Sequence, residues 1–396
     1  MNTPNVSIIG EGMDNTSLTN TVPNTEYKNE NKKTPANVLE GIGKGDVLCL
    51  QKEATGTYFQ DLKMYSSMGD DKGRDIVLND QSNKTICKNV NLWAYQDTYV
   101  SNNQNGKFYF EDGILRGRTD YLCGKGDVYY NNVELWICEK GGYLAVPSQP
   151  KKYGYIFKDC TIKDATEAKD LNGNYTLGRP WGKGTPIALY IDTKMEAIPS
   201  AAGWDEMSGG YPKRFAEYNS TTSTGSTVDL KDRKKVYDAY DSKNGDNYVN
   251  RRNETAESPI LAAEEAAFYT VENIMGQDDD WDPTAATEQA SAPTNVKLNG
   301  TTLDWDNTDY ALLWAVCKNG KVVDFTITPS YIVDDASATW SVRAANEMGG
   351  LSEATVVGQG TGIHNIVAAT DAAVIKTAIY AADGTQLSNL QKGINI

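Results

Sequence analysis

Two aspartates, Asp97 in Tyr95-Gln96-Asp97-Thr98 and Asp120 in Gly117-Arg118-Thr119-Asp120-Tyr121-Leu122-Cys123-Gly124, stand 23 residues apart, each just after a strand-like run, Val90-Asn91-Leu92-Trp93 and Ile114-Leu115. Two carboxylates held close together do not readily ionise together, so one serves as an acid and the other as a base or nucleophile. An arginine within reach holds one of them ionised. Leu177-Gly178-Arg179-Pro180-Trp181-Gly182 supplies that arginine, Arg179, and an aromatic face, Trp181. The one histidine, His364, lies far down the chain, which removes Ser-His-Asp and Cys-His catalysis and most zinc sites. Cys49, Cys87, Cys123, Cys138, Cys160 and Cys317 form no C-x-x-C pair and show no metal-ligand spacing. Any hydrolytic chemistry therefore runs on carboxylates, and neither cofactor nor metal is expected.

Such clusters need a scaffold that brings residues one repeat apart into contact. A short phrase recurs, an aromatic or polar pair, then Asp or Asn, then a strand with alternating apolar positions. Its Asp/Asn positions are 61, 89, 112, 132 and 159, with intervals of 28, 23, 20 and 27. Those intervals suit a coil of short strands joined by turns of variable length, a parallel β-helix in which each rung covers the next. An antiparallel sandwich has turns roughly every 8–12 residues. The alternation predicts Val90, Leu92, Ile114, Val133, Leu135, Cys160 and Ile162 facing one core. In such a coil Asp97 and Asp120 stack at roughly one strand spacing, about 4.8 Å. The competing reading is that Asp and Asn merely form ladders along the turns, with Arg179 as counter-ion.

At 396 residues the chain exceeds the roughly 100–200 that one domain usually takes. After Ser258-Pro259, the run Ile260 to Phe268 predicts a helix over 258–275, with proline at its first position and acidic residues in its early turns. Residues 1–283 are then the coil and 284–292 a linker. Residues 293–357 alternate strands with the turn signals Asn299-Gly300, Asn319-Gly320 and Gly349-Gly350, with Trp305, Trp314 and Tyr331 as core aromatics. The expected fold class is all-β, a right-handed single-stranded parallel β-helix followed by a small β-sandwich. Trp340-Ser341-Val342-Arg343-Ala344-Ala345-Asn346 resembles a late strand of a fibronectin type III module, and residues 358–396 resemble the start of a bacterial C-terminal sorting domain. A net charge of 38 − 53 = −15 disfavours nucleic acid as a partner, and no stretch approaches the roughly 20 apolar residues of a membrane span.

Taken in order, the three clusters resemble the motifs of the pectin methylesterase family, right-handed β-helix carbohydrate esterases. Gln96-Asp97-Thr98 is similar to its Gln-Asp-Thr, Asp120-Tyr121-Leu122-Cys123-Gly124 to its Asp-Phe-Ile-Phe-Gly, and Leu177-Gly178-Arg179-Pro180-Trp181 to its Leu-Gly-Arg-Pro-Trp. Asn5-Val6-Ser7-Ile8-Ile9-Gly10-Glu11-Gly12, Ala202-Gly203-Trp204 and Phe215-Ala216-Glu217-Tyr218 add to the likeness, which covers about residues 1–283. The resemblance implies Asp120 as nucleophile, Asp97 as general acid then base, Gln96 as oxyanion donor and Arg179 as partner of Asp120. It implies substrate contacts at Trp181, Arg74, Thr119 and Tyr99. The expected partner is methyl-esterified pectin (homogalacturonan), neutral where esterified, acted on by a monomer that is secreted or on a bacterial cell surface. The chain departs from the family in several places. Arg74 stands where the family has a second oxyanion glutamine, and Cys123 where an aromatic lines the sugar cleft. The interval from Asp97 to Asp120 is two residues longer. No signal peptide and no opening rungs precede Met1, which suggests a truncated start with an open edge around Val6, Ile8 and Ile9. A β-helix polysaccharide lyase or glycosidase, or a non-catalytic glycan-binding or adhesion protein, are the alternatives.

Overall fold

The computed structural model describes residues 1–20, 46–70, 73–306 and 311–358, and the backbone of the short pair Ile379–Tyr380 and Gln386–Leu387. His364 and most of the segment resembling a sorting domain lie outside these residues.

Strands of successive rungs pair in parallel and in sequence order, forming a right-handed parallel β-helix. One rung runs through Lys107–Glu111, Ile114–Gly117 and Thr119–Gly124. The next runs through Asp127–Asn131, Glu134–Ile137 and Gly142–Pro147, and each strand lies on its predecessor. The following rung repeats the pattern with Tyr155–Lys158, Thr161–Asp164 and Tyr175–Gly178. The third strands form a separate six-stranded sheet reaching back through Tyr99–Ser101 and Leu78–Asp80 to Leu48–Leu50.

Between first and second strands the backbone turns a sharp corner, and one residue there adopts a left-handed conformation. Asp61, Asn89, Asp112, Asn132 and Asp159 all have φ between 51° and 56°. Asn and Asp tolerate this region because their short polar side chains bond locally. Here they also bond along the coil. Asn89 Nδ2 donates to Asp61 Oδ1 at 2.6 Å and Asn132 Nδ2 to Asp112 Oδ1 at 2.7 Å. The repeated Asp/Asn of the sequence is this ladder, and it continues to Asp192 and Asn219, also paired at 2.7 Å.

Inside, Leu92, Leu115, Leu135, Ile162 and Met195 occupy equivalent positions and are fully buried. Ile114 does not belong to that column. It pairs with Asn91 and Glu134 on the outer face and is only half-buried, because alternation after the Asp112-Gly113 corner makes Leu115 the inward residue. An aromatic column fills much of the remaining core: Phe110, Tyr130, Phe157 and Tyr190 stack face to face with centroids 5.1, 4.5 and 4.3 Å apart.

The helix expected over 258–275 is broken. Ile260 bridges Glu217 as a strand residue, and helix forms only at Ala263–Ala266 and Val271–Met275. Thr270 caps the second by accepting from Asn273 N, which separates the two. Lys107 Nζ donates to Met275 O at 2.6 Å, and Tyr129 Oη to Tyr269 O at 2.9 Å, so the segment covers the outer face of the first-strand sheet. At the start of the expected linker, Pro283–Thr287 is a short helix capped by Asp282.

Beyond it, a three-stranded sheet (Lys297–Asn299, Thr302–Asp304, Ser330–Ile332) and a four-stranded one (Leu313–Lys318, Lys321–Thr326, Trp340–Ala345, Thr355–Val356) share one core. Trp305 and Trp314 are buried in it with centroids 5.9 Å apart, joined by Trp340, while Tyr331 packs at its margin. Asn319 and Gly320 both take positive φ, the geometry of a tight two-residue hairpin. This sandwich rests on the first rungs: Met348 packs in the cluster that holds Ile9, and Glu11 Oε1 accepts from Val322 N at 3.3 Å.

Candidate active site

The six-stranded sheet positions the three clusters. Arg74, Gln96 and Thr119 are consecutive parallel bridge partners, so Asp97 and Asp120, one residue on, occupy equivalent places on neighbouring rungs. Both have positive φ, 59° and 51°, at the corner where the chain bends into the third strand. The corner geometry behind the Asp/Asn ladder elsewhere in the coil here carries two carboxylates into one pocket. Its volume is about 110 Å³, lined by Arg74, Asp97, Val100, Asp120, Cys123, Val146, Trp181 and Met207.

Each aspartate has its own arginine. Arg179 Nε donates to Asp120 Oδ1 at 3.0 Å and Nη2 to Oδ2 at 2.7 Å, a planar two-bond grip that fixes the carboxylate's rotation. The Arg179 guanidinium is held from behind by Tyr143, its carbon 3.7 Å from the ring centroid. On the other side Arg74 Nε lies against Asp97 Oδ2 as a close ion pair, although its N–H is not aligned for a hydrogen bond. Both aspartates are nearly buried, 5% and 6% exposed, where the local dielectric is low and charge pairing strong.

The pocket floor is an outward column of Val100, Cys123 and Val146, in register on adjacent strands. Burial, with the charges of Asp97 and Asp120 adding to it, pushes the Cys123 thiol up, so it stays neutral and acts as floor. Trp181 is 41% exposed at the rim, a flat apolar face beside the carboxylates. Gln96 is half-buried next to Arg74 in the ladder, and Thr119 Oγ1 accepts from Arg118 Nη1 at 2.7 Å. Tyr99 is elsewhere. Its side chain is fully buried, packed edge-on against Phe110 with centroids 4.7 Å apart, and it offers no surface to a ligand. Strand alternation explains this, since Tyr99 and Leu122 point in and Val100 and Cys123 point out. The same parity would have identified Val100. Tyr143 and Met207 were also not anticipated, and Met207, arriving from the loop after Trp204, had no strand pattern to reveal it.

Two of the other motifs meet through Arg233, while residues 5–12 lie on the first rungs, with Ser7–Ile9 paired to residues 58–60. Arg233, between Ala202-Gly203-Trp204 and Phe215-Ala216-Glu217-Tyr218, donates from Nε to Glu217 Oε1 at 2.6 Å and from Nη1 to the carbonyls of Ser200 and Ala201. A side chain at Gly203 would collide with Arg233, 2.6 Å from a Cβ there.

A family model described as pectinesterase matches residues 1–256. The chain belongs to the pectinesterase family. Among curated relatives, "Probable pectinesterase A" of Aspergillus flavus is 28% identical over 139 residues, 34% of this chain and 41% of that protein. The chain thus spans about two fifths of the length of that relative. Among solved structures, pectin methylesterase from Yersinia enterocolitica matches with a TM-score of 0.52 at 20% identity, covering 70% of this chain and 89% of that one. Pectin methylesterase from carrot matches with a TM-score of 0.50 at 15% identity, covering 69% and 77%. These likenesses show the parallel β-helix fold.

Proposed function

We propose that this chain is a pectin methylesterase, hydrolysing the methyl esters of homogalacturonan through an aspartyl acyl-enzyme. One observation carries the reading: Asp97 and Asp120 line the same pocket from adjacent rungs, and Arg179 holds Asp120 by two hydrogen bonds. The Asp120 carboxylate, ionised and oriented by Arg179, attacks the ester carbonyl carbon. Gln96 and Arg74, side by side in the ladder, offer N–H groups to the oxygen that gains charge. As the carbon–methoxide bond breaks, Asp97 gives its proton and methanol leaves. Water then attacks the acyl carbon while Asp97 takes a proton back. The anhydride bond breaks, Asp120 is restored, and the uronic acid formed gives water's second proton to solvent and leaves as the carboxylate. Trp181 gives the sugar ring a stacking face, and Thr119 borders it.

We further assign residues 1–283 to the β-helix unit, 284–292 to its junction with the next, and 293–357 to a fibronectin type III-like module, supported by its three- and four-stranded sheets. The enzyme is proposed to act as a monomer, secreted or displayed on a bacterial surface, where pectin is met. A second reading, a glycan-binding protein without catalysis, is favoured by one contact, the Arg74–Asp97 pair, which occupies the acid–base residue. Methanol release from highly methylated pectin separates the two. Release that is abolished by Asp120→Asn supports the esterase, and binding without release supports the alternative.

A further inference from the structure

The pocket of this chain contains two arginine–aspartate pairs. Arg179 on Asp120 follows from the Leu177-Gly178-Arg179-Pro180-Trp181 motif. Arg74 on Asp97 lies outside the three motif clusters. We propose that Arg74, besides offering an N–H to the substrate oxygen, holds Asp97 as a carboxylate in the free protein and thereby confines ester hydrolysis to acidic pH. The inference rests on the esterase reading for its catalytic consequence, but not for the linkage itself.

The geometry is specific. Arg74 precedes Gln96 by one rung in the parallel ladder, so its side chain runs alongside the Asp97 corner and its Nε meets Asp97 Oδ2. The Arg74 side chain is 38% exposed and that of Asp97 8%. The carboxylate is thus nearly out of water while its partner keeps partial solvation, an arrangement in which the cation's charge chiefly offsets the cost of burying the anion. Among the described residues lining the pocket, the other charged or titratable groups beside Asp97 are Asp120 from the following rung, whose charge is offset by Arg179, and the Cys123 thiol, which burial keeps neutral. Val100, Val146, Trp181 and Met207 complete the lining without charge. With Asp120 matched by Arg179, Arg74 is the cation in direct contact with Asp97 and favours its charged form.

The sign follows. An opposite charge within about 4–6 Å lowers a carboxyl's titration point by about 1–3 pH units. Donation to methoxide needs Asp97 protonated, so activity is lost as pH rises through that point. Arg74 brings the loss to lower pH, and its removal moves the loss upward.

The test has two readouts. In protein labelled with 13C at the Asp carboxyl carbons, the Asp97 signal, assigned by its disappearance in Asp97→Asn, is followed against pH in the wild type, Arg74→Gln and Arg74→Lys. The expected result is a midpoint at least one pH unit higher in Arg74→Gln, with Arg74→Lys close to wild type. In parallel, methanol release is followed against pH. The alkaline limit should rise by the same amount, so that one unit above the wild-type limit Arg74→Gln retains about fivefold more of its own maximal rate than wild type does. An Asp97 midpoint unchanged by Arg74→Gln overturns the proposal, even if the rate falls for other reasons. A shifted midpoint with no methanol released by any of the three proteins keeps the Arg74–Asp97 linkage and overturns the esterase reading instead.

Discussion

Asp80 ends the strand Leu78–Asp80 of the site-bearing sheet and points into the coil, where it is completely buried. One oxygen, Oδ1, accepts from the backbone N and the hydroxyl of Ser82 at 2.9 and 2.6 Å, while Oδ2 has no hydrogen-bond partner. Desolvation outweighs the Ser82 bonds and raises its pKa to about 6 from an ordinary 3.8. The folded state therefore keeps a proton that the unfolded chain releases. The stability tied to that proton is complete below about pH 4 and is lost as pH rises through about 6. The shift of roughly two units corresponds to about 3 kcal/mol. Asp80→Asn replaces the acid with a neutral group of the same shape that still accepts from Ser82 but cannot ionise. Urea unfolding at pH 4 and pH 8 measures the effect. The wild type should lose about 3 kcal/mol more between the two pH values than the variant does, so Asp80→Asn gains relative stability only at pH 8. Identical pH dependence in the two proteins would refute the reasoning, because it would mean that burial of Asp80 does not oppose its ionisation.

Three further outcomes are expected. Phe157→Ala removes the middle of the stacked column between Tyr130 and Tyr190 and should cost about 3–5 kcal/mol in denaturant unfolding. Trp181→Ala, at an exposed position that the fold does not need, should raise KM for pectin by about tenfold or less, equivalent to 1.4 kcal/mol, and leave kcat and thermal stability nearly unchanged. Arg179→Ala should lower kcat about a hundredfold, the scale of misplacing a reacting group by an ångström, and Arg179→Lys should fail to restore it, since an ammonium cannot form the two-bond grip on Asp120.

What could be read in the sequence was whatever repeats with the coil. The Asp/Asn phrase was visible because a left-handed corner admits few residue types, and the same constraint placed Asp97 and Asp120 in register. Asp192 and Asn219 belong to the ladder, but the interval from 159 to 192 is stretched chiefly by the connection between Asp164 and Tyr175, which hid the period. Ile114 was misplaced because a corner residue resets the inside–outside alternation, and counting across it moves a side chain to the opposite face; Tyr99 came from the family resemblance alone, and strand parity after Asp97 turns it inward. The helical stretch failed for another reason. Residues 258–275 have helical composition, yet the bridge between Ile260 and Glu217 comes from tertiary packing that local propensity does not contain, and the N-cap at Thr270, a local signal, starts a second helix. Tyr143 continues the ladder of Arg74, Gln96 and Thr119 by one more rung and counting forward would have found it, whereas Met207 lies outside any strand and no spacing rule finds it. The Arg74–Asp97 pair lay between, since counting back one rung found Arg74 but not the carboxylate it would meet.

The claim that Asp120 is a nucleophile fixed by Arg179 is tested most directly by methanol release from highly methylated pectin, comparing wild type with Asp120→Asn across the pH range. The account predicts release by the wild type and none above background by the variant, with the variant folded and still binding pectin. Wild-type turnover by Asp120→Asn would contradict it.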